Sequence, residues 1–226
     1  MIVRIASVLS ADELSAIRTR LESGAWDDGR LTAGFQSAQV KVNLQLPQHD
    51  PAAREAGDAV LRALERSPLF VSAALPHHVF PPLFNRYAPG MSFGNHVDNA
   101  VRQIPGTPHR LRTDVSATLF LSAPEEYDGG ELIIDDLFGS HAVKLCAGDL
   151  VVYPASSLHR VQAVTRGARD AAFFWIQSMV RDDGARALLY ELDVSIRELT
   201  ADGADARQLL RLTGCYHNLI RRWGEL

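Results

Sequence analysis

Between Ala38 and Leu46 apolar and polar residues alternate without a break, with Val40, Val42, Leu44 and Leu46 on one side and Lys41, Asn43 and Gln45 on the other. A period of two sends successive side chains to opposite faces of a strand, so this stretch predicts a half-buried strand with its valines and leucines inward. Upstream the period is helical. Ser10 followed by Glu13 has the form of a capping box, and Leu14, Ile17 and Leu21 recur at helical spacing, which predicts a helix over about 11–23. Pro51 suits the first turn of a second helix that reaches about Arg66, with Val60, Leu61 and Leu64 on its buried side.

From residue 78 the chain changes to short apolar runs separated by Gly, Pro, Asp and Ser. Strands are predicted at 79–87, 114–121, 130–134, 141–145, 149–153, 159–164 and 171–180, a spacing that suggests a sandwich or barrel rather than a parallel sheet. After Arg181 helical periodicity returns. Leu188, Leu189, Leu192, Ile196 and Leu199 form one apolar stripe, and Leu209, Leu212, Tyr216, Leu219 and Trp223 another. Such stripes predict packing on the core, with a homodimer surface as the alternative. The resulting plan is α+β: an N-terminal helix and strand region over 1–77, a β core over 78–180, and a C-terminal helical extension over 181–226.

Composition narrows the function. The 226 residues suffice for one large domain, and 46% hydrophobic with 22% charged residues is ordinary for a globular chain. A formal charge of −4 argues against a surface that tracks phosphates, so nucleic acid is not an expected partner. Cys146 and Cys215 lie far apart with no C-x-x-C spacing, which implies neither a thiolate zinc site nor a disulfide framework. No apolar stretch reaches the ~20 residues of a membrane span, and a cytoplasmic protein without a membrane partner is expected.

The candidate chemistry begins in "FGNHVDNAV". In an extended segment residues two apart share a side, so His96 and Asp98 can offer a nitrogen and an oxygen to one ion, with Val97 directed back into the sheet. Two histidines and one carboxylate on one face of an octahedron, the other face open, is the donor set of non-haem Fe(II) oxygenases. His159 in "YPASSLHRVQAV" opens a strand just after a turn and is the best third ligand. Arg169, ten residues on at the start of the last long strand, carries the planar fork that binds a carboxylate in bidentate fashion. Taken singly, each feature reads more readily as a polar turn, a hydrogen-bonded strand histidine and a solvated hairpin arginine. Their coincidence over a β-rich spacer is what points to a site.

In that combination the chain resembles the Fe(II)- and 2-oxoglutarate-dependent dioxygenases, specifically the prolyl 4-hydroxylase-like branch and most closely the bacterial PKHD-type hydroxylases. The resemblance covers most of the chain and is carried by "FNRYAPGMSFGNHVDNAV", "RTDVSATLFLSAPEEYDGGELII", "GDLVVYPASSLHRVQAVTRGARDAAFFWIQSMVRD" and the helical tail. It implies a double-stranded β-helix, or jelly roll, with iron between its two sheets. His96, Asp98 and His159 would bind Fe(2+), and Arg169 the distal carboxylate of 2-oxoglutarate. Tyr87 would bond the same carboxylate, Ser116 or Thr118 would add a hydroxyl, and Trp175 would wall the pocket behind Arg169. Collagen-type prolyl hydroxylases use lysine where this chain has Arg169, a departure that argues against membership of that group and leaves the co-substrate unchanged.

The implied reaction consumes O2 and 2-oxoglutarate, yields succinate and CO2, and hydroxylates an unactivated C–H bond, with L-ascorbate re-reducing the iron. No side-chain base is required. Glu125, Glu126, Asp135 and Asp136 read as a solvated loop and Asp149 as a turn carboxylate, all outside the site. The basic stretch over 99–112 reads as a lid. A protein or peptide side chain or a small iron chelate is compatible as substrate, the latter with a link to iron uptake. The alternatives are a non-catalytic iron-binding or iron-responsive jelly roll, for which Arg169 has no obvious use, and a zinc or manganese hydrolase, which would need a general base.

Overall fold

The computed structural model describes residues 1–104 and 106–226. Eight strands frame it: β1 (Leu83–Tyr87), β2 (Ser92–His96), β3 (Val115–Phe120), β4 (Leu132–Asp136), β5 (Gly139–Val143), β6 (Leu150–Pro154), β7 (Leu158–Val161) and β8 (Arg169–Ser178). They form two antiparallel sheets. The larger runs Val3–Ile5, β6, β3, β8, β1, Leu44–Gln45, Asp27–Asp28, with Pro76–Val79 also on β8; the smaller runs β5, β4, β7, β2, Lys41–Val42. This is the expected jelly roll.

Period-two alternation divides the larger sheet into two faces. On β3, Val115, Ala117 and Leu119 turn outward with Ala172, Phe174 and Ile176 of β8. Against them pack Ile17 and Leu21 of helix α1 (Ala11–Glu22), Val60 and Leu64 of α2 (Pro51–Glu65) and Phe70 of α3 (Pro68–Ala74). Each such side chain fully buried contributes about 1.5–3 kcal/mol, so the sheet behind the site has a rigid backing. Ser116 and Thr118 of β3 and Arg169, Phe173 and Trp175 of β8 instead line the space between the sheets. Helices α4 (Asp183–Ala201) and α5 (Ala206–Trp223) pack on each other, with Leu189, Tyr216 and Trp223 gathered around Leu75 and Val180, while Leu188 stays 63% exposed.

The capping box at Ser10 and Glu13 forms as expected, and Pro51 opens α2. Several expectations change. The strand read over 79–87 is two, because Pro81 and Pro82 lack the N–H groups a ladder needs. The ligand-bearing strand β2 was not among the predicted strands, since "SFGNH" carries one large apolar residue. The stretch read as a lid is an antiparallel hairpin of Val101–Gln103 and Arg110–Arg112, anchored by the buried Leu111; Pro105 lies outside the described residues. Val97 is not packed into the sheet but 47% exposed, because β2 ends at His96.

The largest change is an inversion. In "VKVNLQ" the polar residues face inward: Lys41, Asn43 and Gln45 are 3–4% exposed, whereas Val42 is 53% exposed; only the last residue of the alternation, Leu46, is buried as expected. The segment crosses from one sheet to the other. Lys41 and Val42 pair with Phe93 and Ser92, then Leu44 and Gln45 with Arg86 and Asn85. It closes one side of the jelly roll, so its inner side faces a polar cavity rather than an apolar core. Gly94 permits the close approach, since a Cβ there would lie 2.8 Å from Val40 Cβ.

Candidate metal and co-substrate site

Backbone register brings the ligands together. His159 of β7 stands directly opposite His96 of β2, next to a bulge that realigns β2 between Phe93 and His96. Asp98 follows two residues later. One donor atom from each of His96, Asp98 and His159 lies within 4.8 Å of the other two, and His159 Nε2 is 3.7 Å from Asp98 Oδ2. A single ion can therefore touch all three.

The donors are also oriented. His96 Nδ1 lies 2.9 Å from the carbonyl of Gly94 and His159 Nδ1 3.0 Å from that of Ser157. A carbonyl can only accept, so each Nδ1 carries the proton and each Nε2 presents a lone pair to the metal. Phe93 stacks on His96 at 3.6 Å between centroids, and Tyr153 meets His159 edge-on at 5.2 Å, which fixes both rings. Burial, and then the neighbouring His159, hold His96 down at about 4. It is neutral and available to a metal across the physiological range. Ser116 Oγ donates to Asp98 Oδ2 at 2.6 Å and so fixes the orientation of the carboxylate. Ser116→Ala is expected to weaken Fe(II) binding by about 10–100-fold with little loss of fold, measured by anaerobic metal titration.

Deeper in the same cavity lies an unsatisfied cation. Arg169 is 1% exposed, yet its Nε and Nη1 have no hydrogen-bond partner. Its guanidinium sits over the rings of Tyr87 and Phe120, 5.5 and 5.1 Å from their centroids. Tyr87 pairs with Arg169 across the β1–β8 ladder, and burial pushes its phenol up to about 12, so it remains a donor. Tyr127 adds a buried hydroxyl, also without a partner. Gly130, at φ +68°, leaves room for both, because a Cβ there would lie 3.1 Å from Arg169 Cδ and from Tyr127 Cε2. On the outer face of the same strands Arg86 clasps Asp170 through two hydrogen bonds of 2.8 and 2.7 Å and holds the register. Buried N–H groups of a guanidinium facing a cavity require an anion. The donor set and this second pocket fit ferrous iron and the distal carboxylate of 2-oxoglutarate.

Comparison with known proteins gives the same answer. Residues 82–177 match the 2OG-Fe(II) oxygenase superfamily, and residues 183–225 the PKHD-type hydroxylase C-terminal domain. PKHD-type hydroxylases of Stutzerimonas stutzeri and Methylobacterium nodulans are 58% and 60% identical, each over 100% of both chains. The chain belongs to the PKHD-type hydroxylase family. A prolyl hydroxylase from Trichoplax adhaerens, solved with a hypoxia inducible factor peptide fragment, shares the fold at 14% identity (TM-score 0.59; 83% of this chain, 86% of that one). As a PKHD-type hydroxylase the protein is an Fe(II)- and 2-oxoglutarate-dependent dioxygenase.

In this PKHD-type hydroxylase the expected residues share one cavity, but not all in the expected places. Ser116 serves Asp98 rather than a co-substrate carboxylate, and Thr118 lies beside the Tyr153 hydroxyl. Trp175 does not stand behind Arg169. It pairs with Ser116, at the level of the metal ligands and six residues along β8 from Arg169. The acidic residues set aside are engaged elsewhere: Glu126 with Arg18, Asp135 with Arg160, Asp136 with His141. Tyr127, Asn85, Lys41 and Arg102 also line or border the cavity and were not foreseen. For Lys41 the signal was present in the alternation of 40–46, read with the wrong face inward. Among the described residues no helix is long and apolar enough to cross a membrane.

Proposed function

We propose that this dioxygenase hydroxylates an unactivated C–H bond of a substrate that enters past Trp175, with ascorbate keeping the iron reduced after uncoupled turnovers. A protein or peptide side chain and a small iron chelate are the candidate substrates, and a link to iron uptake goes with the second. The observation that carries the reading is the pairing of the three-donor site with the unsatisfied Arg169 guanidinium in one cavity. When bound, ferrous iron and 2-oxoglutarate supply the oxidising power; the chain supplies orientation and a dry wall. Arg169, Tyr87 and Tyr127 would hold one end of the keto acid so that its other end meets the metal. Trp175 and Phe173 line the same cavity and would border the bound metal and keto acid.

A non-catalytic iron-binding protein has no use for a second, buried anion pocket. A hydrolase would need a base, and among the described residues lining the cavity the one carboxylate is Asp98, itself a ligand. Anaerobic addition of Fe(II) and 2-oxoglutarate is expected to produce a weak visible charge-transfer band, lost in Asp98→Ala, and air is expected to release succinate. A colourless mixture that releases no succinate would sink the reading.

A further inference from the structure

Two more cations line the cavity. Lys41, 3% exposed, enters from the closing strand between Phe93 and Phe173, with Nζ 5.5 and 5.7 Å from their ring centroids. It donates to neutral oxygens, Gln45 Oε1 at 2.9 Å and Thr32 Oγ1 at 3.3 Å. Arg102 folds back from the hairpin and lies on Trp175, its Cζ 3.8 Å from the ring centroid. Among the described residues neither forms an ion pair.

Charge counting makes this informative. Lys41, Arg102 and Arg169 face one carboxylate, Asp98, around the cavity. A ferrous ion and the dianion of 2-oxoglutarate cancel each other, so the loaded cavity keeps two positive charges in excess. Buried charge without a partner is costly, and a cavity built this way favours an anion. Arg169 accounts for the far end of the co-substrate and the metal for the near end. The remaining pair lies elsewhere: Arg102 is on the Trp175 side, where Ser116 holds Asp98, and Lys41 is beside Phe93, which stacks on His96. Phe173 and Trp175, with Phe80 packed edge-on against Trp175, form an aromatic wall suited to an apolar body.

We propose that Lys41 and Arg102 bind a carboxylate of the substrate, so that this hydroxylase acts on an acid whose apolar part lies on the Trp175 wall. The proposal rests on the hydroxylase reading above and assigns its substrate class.

Calorimetry tests it on protein loaded with Mn(II), which takes the same oxygen and nitrogen donors. A titration with 2-oxoglutarate comes first and reports the co-substrate pocket by itself. Benzoate, benzamide and benzylamine are then titrated into the 2-oxoglutarate-saturated protein as probes of one shape and three charges. Benzoate is expected to bind at least about tenfold tighter than the other two, as two charge-assisted contacts require. In Lys41→Met and in Arg102→Gln that preference is expected to fall to about twofold, with 2-oxoglutarate affinity changed by less than about twofold. Equal affinities, failure of benzoate to bind, or a preference that survives both substitutions would overturn the proposal. So would loss of 2-oxoglutarate binding in Lys41→Met, which would assign that lysine to the co-substrate. Wild-type protein that prefers benzoate yet takes up no 2-oxoglutarate would count against the dioxygenase reading instead.

Discussion

Arg169→Met is expected to raise the 2-oxoglutarate concentration needed for half-maximal succinate release by about 10²–10³-fold, and at the same time to make the unloaded protein more stable. Both effects have one cause. The guanidinium is 1% exposed, and two of its nitrogens have no partner until a carboxylate arrives. Losing two charge-assisted hydrogen bonds to a buried carboxylate costs about 3–4 kcal/mol of binding, which corresponds to that range. In the unloaded state the same charge is an uncompensated burden, and methionine, which keeps the apolar stem and drops the guanidinium, relieves it by about 1–3 kcal/mol. Arg169→Lys keeps the charge without the fork and is expected to fall between the two. Metal titration should be unchanged in all three proteins, because Arg169 touches none of the ligands. A methionine variant with wild-type 2-oxoglutarate dependence would remove Arg169 from the pocket. One that lost iron as well would show that the substitution had disturbed β8 rather than a contact.

The opposing signs in that experiment reflect how the site could be read from the sequence at all. Histidine, aspartate and arginine at 96, 98, 159 and 169 are ordinary polar residues taken singly, and it was their coincidence over a β-rich spacer that made the site legible. The strands that carry Arg169 and Ser116 were legible because their outward faces, Ala172, Phe174 and Ile176 or Val115, Ala117 and Leu119, are apolar where helices cover them. β2 was not legible as a strand. Its side chains meet a metal, a cavity and a closing strand rather than a core, so hydrophobic periodicity had nothing to report. The segment 40–46 failed in the opposite way. Its period was right, but a period does not say which face is inside, and the usual assignment of apolar residues to the interior fails where the interior is a polar cavity. The depth of Trp175 required the register of β3 against β8, which no local pattern encodes. Tyr127 and Arg102 reach the site from a short strand (Tyr127–Gly129) and a hairpin and had no sequence signal beyond their residue types.

Lys41→Met is expected to stabilise the unloaded protein by on the order of 2 kcal/mol at pH 7, and that gain should disappear on the alkaline side. Burial, reinforced by the charge of Arg102 and opposed by Asp28 and Asp98, lowers the ammonium from its ordinary 10.5 to about 8. Below about pH 8 the lysine is protonated in both native and unfolded states, and the native state bears the full cost of burying the charge. Between about 8 and 10.5 the native state gives up its proton first; the unfolded state then binds more protons, so wild-type stability rises with pH through this window. Above 10.5 both states are neutral and the cost is gone. A shift of this size corresponds to about 3 kcal/mol, from which the lost hydrogen bonds to Gln45 and Thr32 subtract about 1 kcal/mol. For a chain of this length the net gain amounts to a rise of roughly 4–8 °C in Tm at pH 7. Scanning calorimetry of both proteins, metal-free, at pH 7 and at pH 10 reads the difference. The gap should shrink by more than half at the higher pH, since other titrating groups are common to both chains and cancel. A gap of constant size would mean that methionine simply packs better between Phe93 and Phe173. A variant less stable than wild type at pH 7 would mean that the hydrogen bonds to Gln45 and Thr32 outweigh the buried charge. Adding benzoate should narrow the pH 7 gap from the wild-type side, because the charge that destabilises the unloaded fold is the one that holds the anion.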